Sequence, residues 1–248
     1  MPSQNINRMY KEKTGMLLLH ALPLDGSMWA KQMNLLPGST YAPTLYGFGG
    51  SIEEWAAEAL KQVDEDQLIV VGCSVGGSCA LEIAAAAPER IAALVLIGTK
   101  ARHRADPVLF ASALELINCK GLDAAWEKYW APLFSGSSDK AALEAAREMA
   151  MEQSPEAIAC GVSVFHTRAS HDLLISKCQV PVIVVTGEDD LAPGLAASSA
   201  LAASAPRGQL FVIPSCGHYV PIEQPEALNA ILADIIQKQL LHSPSSRT

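Results

Sequence analysis

The stretch "VVGCSVGGS", residues 70 to 78, decides how the rest of the chain is interpreted. Ser74 lies at its centre, two residues after Gly72 and two residues before Gly76. An apolar run typical of a buried strand precedes the serine, and a run of small and apolar residues typical of a helix follows it. A serine on a sharp turn from strand to helix is typical of a catalytic nucleophile, but the same glycines also fit a tight bend in a core. The other residues of the chain decide between these interpretations.

Composition and charge exclude several classes of function. Half of the 248 residues are hydrophobic, 18% are charged, and the formal net charge is −8. A chain of this length folds as one large domain, or as one domain that carries an insertion. Because phosphate contacts need clustered basic residues, the negative charge argues against binding to nucleic acid.

The cysteines and the N-terminal residues predict a cytoplasmic protein without a metal site. None of the six cysteines has the spacing of a metal ligand, and the first fifteen residues lack the apolar core of a signal peptide. One apolar stretch, residues 68 to 87, approaches membrane-spanning length, but glycines and Glu82 interrupt it and Pro88 ends it. We interpret it as a buried strand followed by a buried helix, and expect no membrane segment. The sequence predicts no particular oligomeric state.

Predicted strands and helices alternate along most of the chain. The buried strands are predicted at "MLLLHA", "QLIVVGC", "RIAALVLIG", "VPVIVVTG" and "GQLFVIP". This alternation predicts an α/β fold with a doubly wound, mostly parallel sheet. Residues 99–176 break the alternation, because they contain several helical patterns and no convincing strand. We therefore expect a core of residues 1–98 and 177–248, with residues 99–176 inserted as a helical cap.

A serine hydroxyl needs a base to become a nucleophile, and one histidine is suitably placed. His218 lies in "SCGHYVPIEQPEAL", between the last predicted strand and the last predicted helix. Loops at the carboxyl ends of parallel strands are where the sites of such sheets form. His20 is expected to shape a loop. The others are expected at the surface or in structural roles, and they are His103, His166, His171 and His242.

A carboxylate and two backbone donors would complete a hydrolytic site. The carboxylate fixes the tautomer of the histidine, and Asp189 and Asp190 both follow a predicted strand directly. Either aspartate also fits as a cap of the next helix. The tetrahedral intermediate needs N–H groups near its oxyanion. We expect one from Val75, after the nucleophile, and one from Leu22, in the loop after the first strand.

Four motifs together resemble those of the α/β-hydrolase fold superfamily. They are the oxyanion motif "LLLHALPLDGSMW", the elbow "GCSVGGS", the acid loop "VVTGEDD" and the histidine loop "GHYVPIEQPEAL", which span residues 17 to 228. The stretch "PLDGSMW" and the length of the chain resemble those of 3-oxoadipate enol-lactonases and related small carboxylesterases most closely. The resemblance implies the α/β-hydrolase fold with a cap. Only fifteen residues precede the first buried strand, so we expect about six strands, with at most one edge strand from "NINRMYKE".

The chain departs from the superfamily's usual pattern around the oxyanion loop. Ala21 follows His20 where glycine is usual, and its methyl group can change the backbone angles near Leu22. Thr44 stands where an aspartate is usual, which puts the usual hydrogen bonds of that loop in question.

The acid loop also departs from the usual spacing. Counting from Gly187 selects Asp190 as the acid, whereas counting back from Pro193 selects Asp189. We favour Asp190, because the end of the strand is the firmer anchor.

The cap is expected to line the substrate pocket. Trp126, Trp130 and Phe134 are the predicted substrate-binding residues, although each also fits a role in holding the cap together. Basic residues stand near both ends of the cap, and they are Lys100, Arg102, His103, Arg104 and Arg168. At the mouth of the pocket they would suit an anionic substrate, and in solvent they would be only a charged hinge.

The resemblance implies a serine hydrolase whose partner is a small-molecule ester or lactone. Ser74 would attack the carbonyl carbon, His218 would transfer the proton, and Asp190 would orient His218. No cofactor and no metal are needed for this chemistry. A C–C bond hydrolase, a perhydrolase or a lyase can use the same triad. A non-catalytic ligand-binding protein on the same fold is a third alternative.

Overall fold

The structure, a computed structural model, describes residues 13–242. The segment "NINRMYKE", for which an edge strand is predicted, lies outside the described residues.

Six strands form one sheet, in the order β2-β1-β3-β4-β5-β6. Their bounds are β1 Thr14–Leu19, β2 Thr40–Tyr41, β3 Gln67–Cys73, β4 Ile91–Ile97, β5 Val182–Gly187 and β6 Gly208–Ile213. Every pair of neighbouring strands in the described residues is parallel. The prediction of a mostly parallel sheet of about six strands is confirmed. Strands β1, β3, β4 and β5 are buried almost throughout, as expected for parallel strands that helices cover on both faces.

Helices connect the strands of the sheet. Their bounds are α1 Ile52–Leu60, α2 Val75–Ala86, α3 Pro107–Ala125, α4 Lys140–Met151, α5 Pro155–Thr167, α6 Asp172–Lys177, α7 Gly194–Ser204, α8 Val220–Glu223 and α9 Pro225–His242. Helices α3 to α6 stand between β4 and β5, where the sequence predicts a helical cap. The division into a core and a cap at residues 98 and 177 stays a prediction.

The long apolar stretch at residues 68 to 87 is part of this sheet and its helices. It consists of β3 from Leu68 onward, one turn residue, α2 and Ala87, so it is a strand followed by a helix, as the sequence predicts. Among the described helices, none is long and apolar enough to cross a membrane.

The turn between β3 and α2 is strained and tightly packed. Ser74 alone connects the two elements, with φ 55° and ψ −116°. A residue other than glycine in such a conformation costs about 1–3 kcal/mol, which the surrounding structure must offset. A Cβ atom on Gly76 would lie 2.2 Å from the carbonyl oxygen of Leu19, and one on Gly72 would lie 2.2 Å from the carbonyl oxygen of Gly76. Gly76 therefore allows the start of α2 to pack directly against the end of β1, and Gly72 allows the end of β3 to pack against the start of α2.

Candidate active site

His218 and Asp190 form a buried pair at the carboxyl end of the sheet. The Nδ1 atom of His218 lies 3.0 Å from Oδ1 and 3.1 Å from Oδ2 of Asp190. The side chains are 2% and 1% exposed. Because an ionised carboxylate only accepts hydrogen bonds, it favours the tautomer in which Nδ1 carries the proton. The Nε2 atom is then free to accept a proton from another group.

Asp189 has a different partner. Its Oδ2 atom accepts a 2.6 Å hydrogen bond from the hydroxyl group of Ser135, and its side chain is exposed. The structure therefore brings Asp190, and not Asp189, to His218. Asp190 also accepts a 2.9 Å hydrogen bond from the backbone N–H of Ala192, so it holds the turn before α7 as well.

Ser74 and His218 line the same cavity, which has a volume of about 460 Å³. Leu22 lines it from the loop after β1, and residues of the interval 99–176 provide most of the remaining wall. A volume of this size is typical of sites for small molecules. The carboxyl ends of the strands and the predicted cap thus enclose one site.

The two predicted oxyanion donors, Val75 and Leu22, belong to different segments, the start of α2 and the loop after β1. Val75 is the first residue of α2, so its N–H group has no partner within the helix, and the positive end of the helix dipole lies there. Leu22 is held by its carbonyl oxygen, which accepts a 2.9 Å hydrogen bond from the hydroxyl group of Tyr219. The next part of the loop is held similarly, because Tyr46 donates a 2.7 Å hydrogen bond to the carbonyl oxygen of Leu24.

His20 shapes this loop, as the sequence predicts. Its ring is fully buried, its Nε2 atom accepts a 2.8 Å hydrogen bond from the N–H group of Leu45, and Nδ1 lies 3.2 Å from the carbonyl oxygen of Ala21. Burial lowers the pKa of His20 to about 4. The ring is therefore neutral at pH 7, and it serves the loop by hydrogen bonds alone.

One of the three predicted substrate-binding residues lines the cavity. Trp130 does so, whereas Trp126 and Phe134 are not among the lining residues, and a role of the three in substrate binding stays a prediction. The ring of Phe134 stacks on Tyr219 at 4.6 Å, and Trp126 packs against Phe134 at 5.9 Å. Residues 126–130 form a π-helical turn, so their side-chain directions do not follow α-helical spacing. The two rings stabilise the junction with the histidine loop instead.

Glu223 is an organising residue that the sequence analysis missed. Its carboxylate accepts hydrogen bonds of 2.9 Å from the backbone N–H groups of Gly217, Tyr219 and Ser135, and one of 2.5 Å from the hydroxyl group of Ser138. Glu223 thereby links the two chain neighbours of His218 to the segment that contains Ser135 and Ser138. The only signal in the sequence is its position in the last motif, because two of its partners lie more than 80 residues away.

Comparisons with known proteins agree with this architecture. A model of the Alpha/beta hydrolase family matches residues 16–231. The chain belongs to the alpha/beta hydrolase family. It is 25% identical to the pimeloyl-[acyl-carrier protein] methyl ester esterase of Aromatoleum aromaticum, over 90% of this chain and 98% of that protein.

Solved structures of an esterase and of an enol-lactonase have the same fold. The match to a thermophilic esterase from Thermogutta terrifontis has a TM-score of 0.82 and 25% identity, over 92% of this chain and 90% of the other. The match to the enol-lactonase from Burkholderia xenovorans LB400 has a TM-score of 0.78 and 21% identity, over 90% and 91% of the two chains.

Gly98 keeps space for the histidine in this alpha/beta hydrolase, and Gly98→Ala is expected to disturb the site. Gly98 follows β4 with φ +54°, and a Cβ atom there would lie 2.7 Å from Cε1 and Nδ1 of His218. A displacement of the ring by about 1 Å can lower kcat about 10²-fold. Steady-state kinetics test this expectation. Gly38→Ala is the control, because Gly38 also has a positive φ, +79°, but no atom within 4 Å of the added methyl group. Equal kcat values for the two variants would contradict it.

Tyr219→Phe is expected to lower kcat about 10-fold, a fraction of the loss that follows removal of a whole oxyanion donor. The variant loses the hydrogen bond that holds Leu22, while the ring can still stack on Phe134. Tyr46→Phe is the matched control, since it loses a similar bond to Leu24. Both variants should lose similar stability, but only Tyr219→Phe should lower kcat at an unchanged KM. A similar loss of kcat in both would assign Tyr219 a structural role only.

The buried His20 predicts a loss of stability in acid. Its folded-state pKa is about 4 against 6.5 for the unfolded chain, so the unfolded chain takes up the proton first as pH falls. The cost appears below pH 6.5 and is complete near pH 4. It amounts to about 3 kcal/mol, since each pKa unit corresponds to about 1.4 kcal/mol. Urea unfolding of the wild type and of His20→Gln between pH 7 and pH 4.5 tests this. Parallel stability curves for the two proteins would contradict it.

Proposed function

We propose that the protein is a serine hydrolase that cleaves a small carboxylic ester or lactone through an acyl-enzyme. The observation that carries the proposal is the buried pair of His218 and Asp190, which shares a cavity with Ser74 on its strained turn. A serine hydroxyl group at that position has a base within the same cavity, and the base has a carboxylate that fixes its tautomer.

The acylation step follows from this arrangement. The Oγ atom of Ser74 attacks the carbonyl carbon while Nε2 of His218 takes its proton. The N–H groups of Val75 and Leu22 stabilise the negative charge on the former carbonyl oxygen. The bond to the alkoxide oxygen then breaks, and the imidazolium returns the proton to that oxygen. The products of this step are an alcohol and an acyl group on Ser74.

Deacylation repeats the same steps with water. His218 takes a proton from a water molecule, whose oxygen attacks the acyl carbon, and the bond to the Oγ atom of Ser74 breaks. The proton returns to Ser74, and a carboxylic acid is released. A lactone reacts in the same way, except that its alcohol and acid remain in one molecule. The reaction transfers only protons and an acyl group, so it requires no redox cofactor.

The names of the relatives support an ester or lactone substrate. A methyl ester esterase, a thermophilic esterase and an enol-lactonase all match this chain over at least 90% of its length. The esters among these substrates have a carbonyl carbon next to an alkoxide oxygen, which is the group that the proposed mechanism attacks.

Hydrolysis of a panel of 4-nitrophenyl esters and simple lactones tests the proposal. We expect turnover by the wild type and loss of turnover in His218→Ala. His171→Ala is the matched control, because His171 pairs with Glu82 at 2.8 Å and does not line the cavity. Full activity of His218→Ala would refute the proposed role of this histidine. No turnover of any ester or lactone by folded protein would refute the proposed reaction.

A further inference from the structure

Arg168 is a buried cation in the wall of the cavity. It follows α5, its side chain lines the cavity together with Ser74 and His218, and the residue is only 8% exposed. It also lines a smaller adjoining cavity that the same serine and histidine share. The sequence left open whether this arginine is part of a solvated hinge, and its burial excludes that interpretation.

The guanidinium group of Arg168 has no carboxylate partner among residues 13–242. It lies over the ring of Phe165, 3.9 Å from the centroid, and Nη1 donates a hydrogen bond to the carbonyl oxygen of Phe165. A guanidinium group has five N–H donors, so most of them have no partner in the described part of the chain. The end of α5 supplies only about half a negative charge.

Burial disfavours the charged form of this arginine. The loss of solvent lowers the pKa of Arg168 to about 10, which still leaves it protonated at pH 7. A charge that loses most of its solvent and has no counter-charge is costly, so such groups in proteins are normally paired. An anion in the cavity would supply the missing partner.

The rest of the cavity wall has an excess of positive charge. Lys100, Arg102 and Arg104 line it and are themselves exposed, and Arg102 also lies 3.7 Å from Asp172. Asp106 is the one carboxylate among the described lining residues. Asp106 already accepts a 2.9 Å hydrogen bond from the first turn of α3.

Two histidines in the same wall, His103 and His166, contribute little charge. Burial, followed by the neighbouring Arg168, lowers the pKa of each ring. The charge of the cavity therefore comes from the lysine and the arginines, and it favours an anion.

We propose that Arg168 binds a carboxylate group of the substrate, which makes the substrate an ester or lactone of an acid with a second, free carboxylate. The planar guanidinium group matches a planar carboxylate through two parallel hydrogen bonds. The reacting carbonyl group would lie at Ser74 and the free carboxylate at Arg168. This inference rests on the proposed function and specifies the substrate class of the same site.

Matched substrates test the inference. The acidic probes are the mono-4-nitrophenyl esters of succinate, glutarate and adipate, and the neutral probes are the 4-nitrophenyl esters of butanoate, pentanoate and hexanoate. In the wild type we expect at least one acidic ester to have a kcat/KM about 10- to 100-fold above its neutral partner, the range of a charge-assisted hydrogen-bonded pair. The length of the acyl chain that gives the largest preference reports the distance between Ser74 and Arg168.

Substitution of Arg168 should remove this preference specifically. In Arg168→Met the acidic esters should lose about 10- to 100-fold in kcat/KM, whereas the neutral esters should change less than about 3-fold. Arg168→Lys should recover part of the loss, because it keeps the charge and loses the planar fork. Arg207→Met is the matched control, because Arg207 also donates to a backbone carbonyl oxygen but is exposed and does not line the cavity. Equal losses on acidic and neutral esters would overturn the inference.

A binding measurement separates this inference from the proposed function. Titration calorimetry with glutarate and with inorganic phosphate needs no turnover. Binding of glutarate that is lost in Arg168→Met supports a carboxylate site even if no ester is hydrolysed. Stronger binding of phosphate than of glutarate would overturn the assignment to a carboxylate. Hydrolysis of neutral esters with no preference for acidic ones, and no binding of glutarate at millimolar concentration, would overturn the inference while the proposed hydrolase function stands.

Discussion

Ser74→Ala is expected to lower kcat for ester hydrolysis by at least about 10⁴-fold, the scale of loss when a nucleophile is removed from a catalytic triad. Without Oγ no acyl-enzyme can form, and only direct attack by water on a carbonyl group held in the oxyanion site remains. The fold should persist, because Ser74 accepts backbone hydrogen bonds from α2 through its carbonyl oxygen, which alanine retains. The measurement is the steady-state rate with 4-nitrophenyl butanoate, together with urea unfolding of both proteins.

Ser163→Ala is the matched control for this substitution. Its hydroxyl group donates to a carbonyl oxygen within α5, and it does not line the cavity. Its kcat should stay within about 2-fold of the wild type, since substitutions away from special features have small effects. A Ser74→Ala variant that keeps more than about a tenth of the activity would contradict the assignment of the nucleophile, because the residual rate without one is far lower.

Asp190→Asn is expected to lower kcat by about 10⁴-fold, the effect measured when the triad acid of another serine hydrolase is changed to the amide. The amide group no longer favours the tautomer with the proton on Nδ1 of His218. The imidazolium ion that forms during acylation also loses its buried counter-charge. The rate at pH 7 with the same ester measures the effect.

Asp189→Asn provides the comparison within the same loop. This residue is exposed and holds the hydroxyl group of Ser135, so the expected loss in kcat is less than about 5-fold, as for surface hydrogen bonds in general. The two variants differ by one position and carry the same chemical change. If Asp189→Asn were the more damaging of the two, the proposed acid would be wrong.

Much of the fold could be predicted because its signals are local. Each buried strand is a short apolar run, and the elbow glycines, the acid loop and the histidine loop directly follow such runs. In a parallel sheet the carboxyl ends of neighbouring strands meet at one edge, so the order of motifs also predicts that they come together. The pairing of His218 with Asp190 follows this logic.

Other features depend on contacts that no local pattern encodes. Trp126 and Phe134 are as apolar as Trp130, but Trp126 packs on Phe134 and Phe134 on Tyr219, whereas Trp130 lines the cavity. Arginine is a charged residue that is usually exposed. The burial of Arg168 depends on how α5 packs against the site.

Thr44 illustrates how a departure from the usual pattern can be accommodated. The usual aspartate is absent, and the threonine hydroxyl group accepts a 3.3 Å hydrogen bond from the backbone N–H of Gly26. The loop therefore keeps a side-chain acceptor near that position. The partner lies 18 residues earlier, so the sequence alone did not identify it.

Covalent labelling of Ser74 with a fluorophosphonate probe, read by intact mass and peptide mapping, tests the central claim most directly. The probe reacts with serine side chains that a neighbouring base activates, and it does not depend on knowledge of the substrate. We expect one adduct, located on Ser74 in wild-type protein and absent from His218→Ala. Folded wild-type protein that forms no adduct, or that carries it on another residue, would contradict the account.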